Sequence, residues 1–233
     1  ADLNFSPTDL SKRNLIKENI PKEKIFVVGN TAIHALFLTK KIIKNNFSKS
    51  DFIKRMPFLK FCENKKILLV TGHRRENFGE GFRNICDALI DIAKISKEVL
   101  IIFSVHLNPK VNTYVRNKLQ NINNIFTINP VNYIDFVKLM DLSYIILTDS
   151  GGVQEEAPSL GKPVLVLREF TERPEAVKCK TVKIVGTSKA KIFDYTKKLL
   201  TNDKYYDTVS KKHNPYGDGN SSLKIKKIID DNI

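Results

Sequence analysis

The chain has 233 residues, 42% of them hydrophobic and 27% charged, with a net charge of +14. That length and balance describe a globular protein with a real core, enough for one large domain or one domain and part of another. No apolar run is long enough to cross a bilayer and no signal-peptide pattern opens the chain, so neither a membrane span nor a leader is expected.

The positive excess is mostly lysine scattered among asparagine and isoleucine. It forms no patterned stripe and accompanies no nucleic-acid motif, so solvated surface is expected rather than a nucleic-acid face, with some long-range pull on an anionic substrate. Cys62, Cys86 and Cys179 are odd in number and lack metal-ligand spacing. They read as ordinary buried thiols in a reducing cytoplasm.

In chain order, residues 2–5 predict a strand, 8–19 a capped helix and 25–28 a second strand, followed by a helix from about Thr31. A Lys/Asn-rich stretch, 40–54, then separates this opening from six further strand candidates at 67–71, 99–105, 125–128, 144–147, 164–167 and 182–185. Amphipathic patterns at 82–95, 111–121 and 133–142 fall between them. Continuous apolar strands bounded by turns indicate a parallel sheet buried on both faces. The β-α alternation makes a right-handed, doubly wound α/β sheet the expected architecture. The opening residues look like the end of one domain and a connector into the next. A loop signal at Asn214-Pro215-Tyr216-Gly217-Asp218-Gly219 precedes an amphipathic tail, 221–229.

The most informative stretch is Thr148-Asp149-Ser150-Gly151-Gly152-Val153-Gln154-Glu155-Glu156-Ala157, which runs from a strand into a helix. Asp149 or Ser150 is placed to cap that helix, and the two glycines admit a ligand to backbone N–H groups that lack intrahelical partners. That geometry suits a phosphate or diphosphate. Glu155 and Glu156 either complement the helix dipole or, since they would repel a diphosphate, include one carboxylate that accepts the hydroxyls of a ribose.

Other strand ends carry polar clusters. Thr71-Gly72-His73-Arg74-Arg75-Glu76-Asn77 offers cations and a proton donor where open α/β sheets bind ligands. The alternative is a basic loop with a surface histidine. His106, in Val105-His106-Leu107-Asn108-Pro109, lines the same cleft or caps the following helix. Arg173, in Thr171-Glu172-Arg173-Pro174-Glu175, clamps a phosphate or sugar hydroxyl, or joins a salt bridge with Glu172 and Glu175. From its helical setting alone Phe136 reads as core. His34 reads as structural, and His213 as a loop anchor near Tyr216. The absence of a Cys/His cluster, a Gly-x-Ser-x-Gly elbow, a Walker loop and a Gly-x-Gly-x-x-Gly turn argues against metal, serine-hydrolase, P-loop and dinucleotide chemistry.

These motifs, in this order, together with Phe5-Ser6-Pro7-Thr8 and Gly29-Asn30-Thr31, closely resemble the bacterial non-hydrolysing UDP-N-acetylglucosamine 2-epimerases. The likeness runs from Ala1 almost to the C-terminus. It implies two Rossmann-like domains in a glycosyltransferase-B arrangement and interconversion of UDP-N-acetylglucosamine and UDP-N-acetylmannosamine. The implied chemistry is elimination of UDP to 2-acetamidoglucal followed by re-addition, without a cofactor or metal. Ser150, Gly151 and Gly152 would then hold the diphosphate, Glu156 the ribose hydroxyls, and Arg173 the nucleotide or phosphate side. Phe136 would border the uracil, against its bottom-up reading. His73 would act near the phosphate–sugar linkage, with Arg74 contacting substrate or effector.

The resemblance also implies a UDP-sugar as the partner and a homodimer at full length. Asn4 stands where the family usually has histidine, which removes that group. The carboxylates that move the C2 proton belong to a part of the N-terminal domain ahead of Ala1. The chain is therefore expected to hold UDP, to be inactive alone, and to expose apolar surface. Residues 1–40 are expected to be a remnant of the N-terminal domain with its connector, 41–220 the UDP-binding domain, and 221–233 a helix packing back toward the N-terminal domain. Alternatives sharing these motifs are an epimerase of another UDP-2-acetamido sugar, a glycosyltransferase-B transferase, and a non-catalytic nucleotide-sugar-binding module.

Overall fold

The computed structural model of the chain describes residues 1–46, 48–211 and 214–232. It opens with a small βαβ unit: β1 (Asn4–Ser6), α1 (Asp9–Lys17) and β2 (Ile25–Val27), the two strands pairing in parallel. Thr8 caps α1 by accepting from the Ser11 N–H at 3.1 Å. The chain continues through α2 (Thr31–Asn46) and α3 (Lys49–Arg55) into the larger sheet. The Lys/Asn-rich stretch expected to be a connector is therefore largely helical. Ser48 caps α3, and Phe52 and Met56 bury themselves against the sheet, a tertiary gain that composition did not reveal.

The remaining elements alternate: β3 (Lys66–Gly72), α4 (Glu80–Ala93), β4 (Val99–Val105), α5 (Pro109–Leu119), β5 (Ile125–Ile128), α6 (Tyr133–Leu142), β6 (Ile145–Thr148), α7 (Gly151–Glu156), β7 (Val164–Val166), α8 (Pro174–Lys178), β8 (Val182–Ile184), α9 (Lys189–Thr201), α10 (Asp203–Ser210) and α11 (Ser221–Asn232). The six strands form one parallel sheet in the order β5-β4-β3-β6-β7-β8.

Successive strand residues feed opposite faces, as a pleated strand requires. Leu68, Val70, Ile101 and Phe103 pack with α4, α5 and α9. Leu69, Leu100, Ile102 and Ile146 pack with α2, α6 and α7. Helices thus cover both faces, and the doubly wound architecture expected from the alternation is the one observed.

The strand order places a topological switch between β3 and β6. The chain leaves β3 toward β4 and β5, returns to the other side of β3 at β6, and then proceeds to β7 and β8. In open α/β sheets the carboxyl ends of the strands at such a switch are where a ligand-binding crevice forms. Beside it docks the βαβ unit, through Thr8 Oγ1 donating to Glu175 Oε1 at 2.7 Å and Asn30 Nδ2 donating to Glu155 Oε2 at 2.8 Å. The tail helix α11 lies along α2, where Ser222 N–H donates to His34 Nδ1 at 3.3 Å. Phe37, Leu38 and Ile42 of α2 and Leu223 of α11 are exposed, a sizeable apolar surface near this unit. Cys86 is buried and Cys62 half-buried, but Cys179, at the end of α8, is exposed, contrary to the expectation of three buried thiols. His213 lies outside the described residues.

Candidate functional site at the strand ends

Asp149 follows β6 and is wholly buried. Its Oδ2 accepts from the backbone N–H groups of His73 and Arg74, both at 2.9 Å, and from Asn77 Nδ2 at 3.2 Å. Asn77 Nδ2 also reaches Leu167 O, just past β7, at 3.0 Å. One carboxylate therefore fastens the loops after β3, β6 and β7. Burial pushes the Asp149 carboxyl up, but the His73 ring and the His73 and Arg74 N–H groups outweigh it and hold it below the usual range.

Of the two capping candidates it is Ser150, not Asp149, that stands at the N-cap of α7. It does so without a side-chain cap bond, which leaves its hydroxyl uncommitted to the helix. The turn is set instead by Thr148, whose Oγ1 accepts from Ser150 N–H at 3.0 Å and lies 2.6 Å from Thr71 Oγ1 on the neighbouring strand. His106 meets His73 with ring centroids 6.1 Å apart, so the two strand-end histidines share the crevice. Helix α5 is capped by Asn108, whose Oδ1 accepts from Lys110 N–H at 3.0 Å.

Arg173 lies across the first turn of α7. A Cβ at Gly151 would stand 3.3 Å from Arg173 Nη2, so glycine is what permits this close approach. Arg173 Nε pairs with Glu155 Oε1 rather than with Glu172 or Glu175, which replaces the salt bridge weighed from sequence. Glu172 belongs to Arg168, and Glu175 to Thr8. Glu156 points elsewhere: its Oε1 accepts from Tyr133 OH at 2.8 Å. Burial raises the Glu156 carboxyl, the Tyr133 bond pulls it back, and the charge of Glu155 adds to the rise. Phe136, three residues beyond Tyr133 on α6, is partly buried and packs against the core, in keeping with its bottom-up reading.

The Arg173 guanidinium, paired with Glu155, thus lies beside the first turn of α7, with the half-buried Glu156 carboxylate turned away toward Tyr133. This is a layout for an anion joined to a polyol. A separate cavity of about 720 Å³, lined by Phe61, Lys65, Leu100 and Phe126, opens at the opposite end of the sheet and brings no acid–base pair together.

The UDP-N-acetylglucosamine 2-epimerase family model matches residues 1–230. The chain belongs to this family. A Campylobacter jejuni UDP-N-acetylglucosamine 2-epimerase is 52% identical over 98% of the chain and 60% of its own length. The crystal structure of the Neisseria meningitidis UDP-GlcNAc 2-epimerase bound to UDP-GlcNAc superposes with a TM-score of 0.92 at 43% identity, covering 100% of this chain and 62% of that one. The S. aureus MnaA–UDP co-structure gives 0.85 at 39% identity, over 98% and 60% of the two chains. The chain spans about 60% of the length of the curated relatives it matches.

Within this epimerase-family chain, sequence reasoning missed several groups that shape the site. Arg168 is 2% exposed and holds Glu76 at 2.7 Å and both oxygens of Glu172 at 2.7 and 3.0 Å. It braces the loop that presents Arg173. Gln154, also buried, donates to Ser150 O at 3.1 Å and accepts from Thr171 Oγ1 at 2.6 Å, linking α7 to that same loop. Asn77 and Tyr133 join them. Only Asn77 and Gln154 carried a signal, by lying inside motifs already singled out.

Proposed function

We propose that the chain provides the UDP-holding part of an enzyme that interconverts UDP-N-acetylglucosamine and UDP-N-acetylmannosamine. In that reaction the C2 proton is removed and the C1–O bond breaks, its electrons passing to the departing β-phosphate oxygen of UDP. The product is 2-acetamidoglucal. Proton return at the opposite face of C2 and re-addition of UDP at C1 complete the epimerisation. UDP has to stay anchored while the sugar is free, so its grip has to be independent of the reacting ring.

Ser150 and the N–H groups of Gly151 and Gly152 receive the diphosphate, with Arg173 neutralising charge beside them. Glu156, held away from them by Tyr133, accepts the ribose hydroxyls, and the partly exposed Phe136 borders the uracil. His73 stands at the phosphate–sugar linkage as counter-charge and proton partner, with Arg74 and His106 lining the approach. No member of this set is assigned to the C2 proton.

The observation that carries this reading is the gathering of Ser150, Gly151, Arg173 and His73 at the switch between β3 and β6, with Glu156 kept separate. The UDP-GlcNAc and UDP complexes of similar chains support the choice of ligand. A cytoplasmic setting and a homodimer at full length rest on the family resemblance. Among the described residues no helix is long and apolar enough to cross a membrane.

Calorimetric titration with UDP tests the proposal. Micromolar binding, about −8 kcal/mol, weakened in both Ser150→Ala and Glu156→Ala, is the expected result. A folded chain that takes up no UDP would overturn it.

A further inference from the structure

The two oxygens of Asp149 have different fates. Oδ2 is saturated by His73 N–H, Arg74 N–H and Asn77 Nδ2, which fixes the carboxylate rigidly between three strand ends. Oδ1 is equally buried and, among the described residues, has no hydrogen-bond partner other than the one His73 Nδ1, 2.9 Å away, supplies if it carries a proton. The histidine itself is 40% exposed, so one edge of the ring meets a buried anion and the rest faces the crevice.

A buried carboxylate oxygen left without a donor costs about 1–3 kcal/mol or more. The protonation pattern that avoids this cost puts a hydrogen on Nδ1 whatever the charge of the ring. We propose that Asp149 is the positioning residue for His73, committing Nδ1–H to its own Oδ1 and leaving Nε2 as the nitrogen that exchanges a proton. The mechanistic meaning of this pairing rests on the proposed placement of His73 at the phosphate–sugar linkage.

Two consequences separate this role from simple structural glue. The neutral ring presents a lone pair at Nε2, and the charged ring presents an N–H there, so one atom serves in both directions of a reversible reaction. The ring's orientation is also inherited from backbone, because the carboxylate that holds Nδ1 is itself held by the N–H of the same residue and of the next.

The test is a long-range ¹H–¹⁵N correlation spectrum of the imidazoles. The chain has four histidines, so His73 is assigned by its loss in His73→Gln. Above the titration of the ring, the wild-type chain should show a protonated, pyrrole-type Nδ1 and an unprotonated, pyridine-type Nε2. In Asp149→Asn the amide oxygen keeps the His73 and Arg74 N–H groups and the amide NH₂ turns to the ring. The two nitrogen signatures should then exchange, as an amide donor demands an unprotonated Nδ1.

A wild-type ring protonated on Nε2, or one tautomer shared by wild type and variant, would overturn the assignment. If Asp149→Asn does not fold, the wild-type tautomer alone decides. UDP is then added to the same wild-type sample and followed by ³¹P shift. An Nδ1–H ring in a chain that ignores UDP leaves the positioning intact and removes the nucleotide reading. UDP binding by a chain with an Nε2–H ring does the reverse.

Discussion

Arg168→Met isolates what the brace behind Arg173 contributes. The guanidinium is 2% exposed, yet its partners Glu76 and Glu172 are 44% and 50% exposed. Its fork holds the Glu172 carboxyl, ordinarily at 4.5, down at about 2. Taken whole, that displacement corresponds to about 3 kcal/mol, shared with a backbone hydrogen bond and the nearby Arg74 charge. Water screens a half-exposed carboxylate, so about 1 kcal/mol is the realistic share. The Glu76 bond adds roughly 0.5 kcal/mol more, while methionine recovers part of it by removing a charge from a buried place. Arg168→Met should therefore cost about 1 kcal/mol at pH 7.

The sign with pH follows from the depressed carboxyl. Its contribution is present above 4.5 and is lost as pH falls through the folded-state value of about 2. The gap between wild type and variant should hold from pH 7 to about 5.5 and be roughly halved by pH 3. Urea unfolding at pH 7, 4 and 3 measures it. A variant as stable as wild type at pH 7, or a gap that does not close in acid, would refute the reasoning. The variant should also loosen the Arg173 loop and so weaken UDP binding.

Two further outcomes are expected. Gly219→Ala should lower stability by about 2 kcal/mol, visible as a drop in Tm, because φ is +83° and the new Cβ would fall 2.2 Å from Phe37 Cδ2. An unchanged Tm would mean that the Phe37 ring leaves Gly219 without cost. Glu156 should make UDP affinity fall with acid at a pH above the ordinary glutamate value of 4.5, since burial raises its carboxyl and only the ionised form accepts both hydroxyls. For the free chain the sign is opposite: a raised carboxyl favours the fold below its ordinary value and loses that contribution as pH rises. Calorimetry across pH, with Glu156→Gln as a control that loses the dependence, checks the binding side.

The sheet was legible because β3, β4 and β6 are buried on both faces and therefore apolar without interruption. Edges and connectors were less so. Helix α3 is written in Lys, Ser and Asp, and only the burial of Phe52 and Met56, a tertiary event, commits it. The glycine pair after β6 was recognisable as a place for close backbone approach. The use of Asp149 was not, since local propensity favours a helix cap and its partners lie 72 to 76 residues away in sequence. Arg168 escaped for the same reason: Glu76 is 92 residues distant. Phe136, read as core from its helical pattern, does pack against the core, though only partly buried.

Glu155 carries two loads at once. One oxygen holds Arg173 beside α7, and the other holds Asn30 of the docked βαβ segment. An anion that draws Arg173 toward itself competes for the first oxygen and so alters the terms on which Asn30 is held. Reciprocity of linked equilibria then applies: if filling the crevice loosens the latch by some factor, releasing the latch tightens the crevice by the same factor. A single side chain thereby ties the position of Arg173 to the seating of the neighbouring segment.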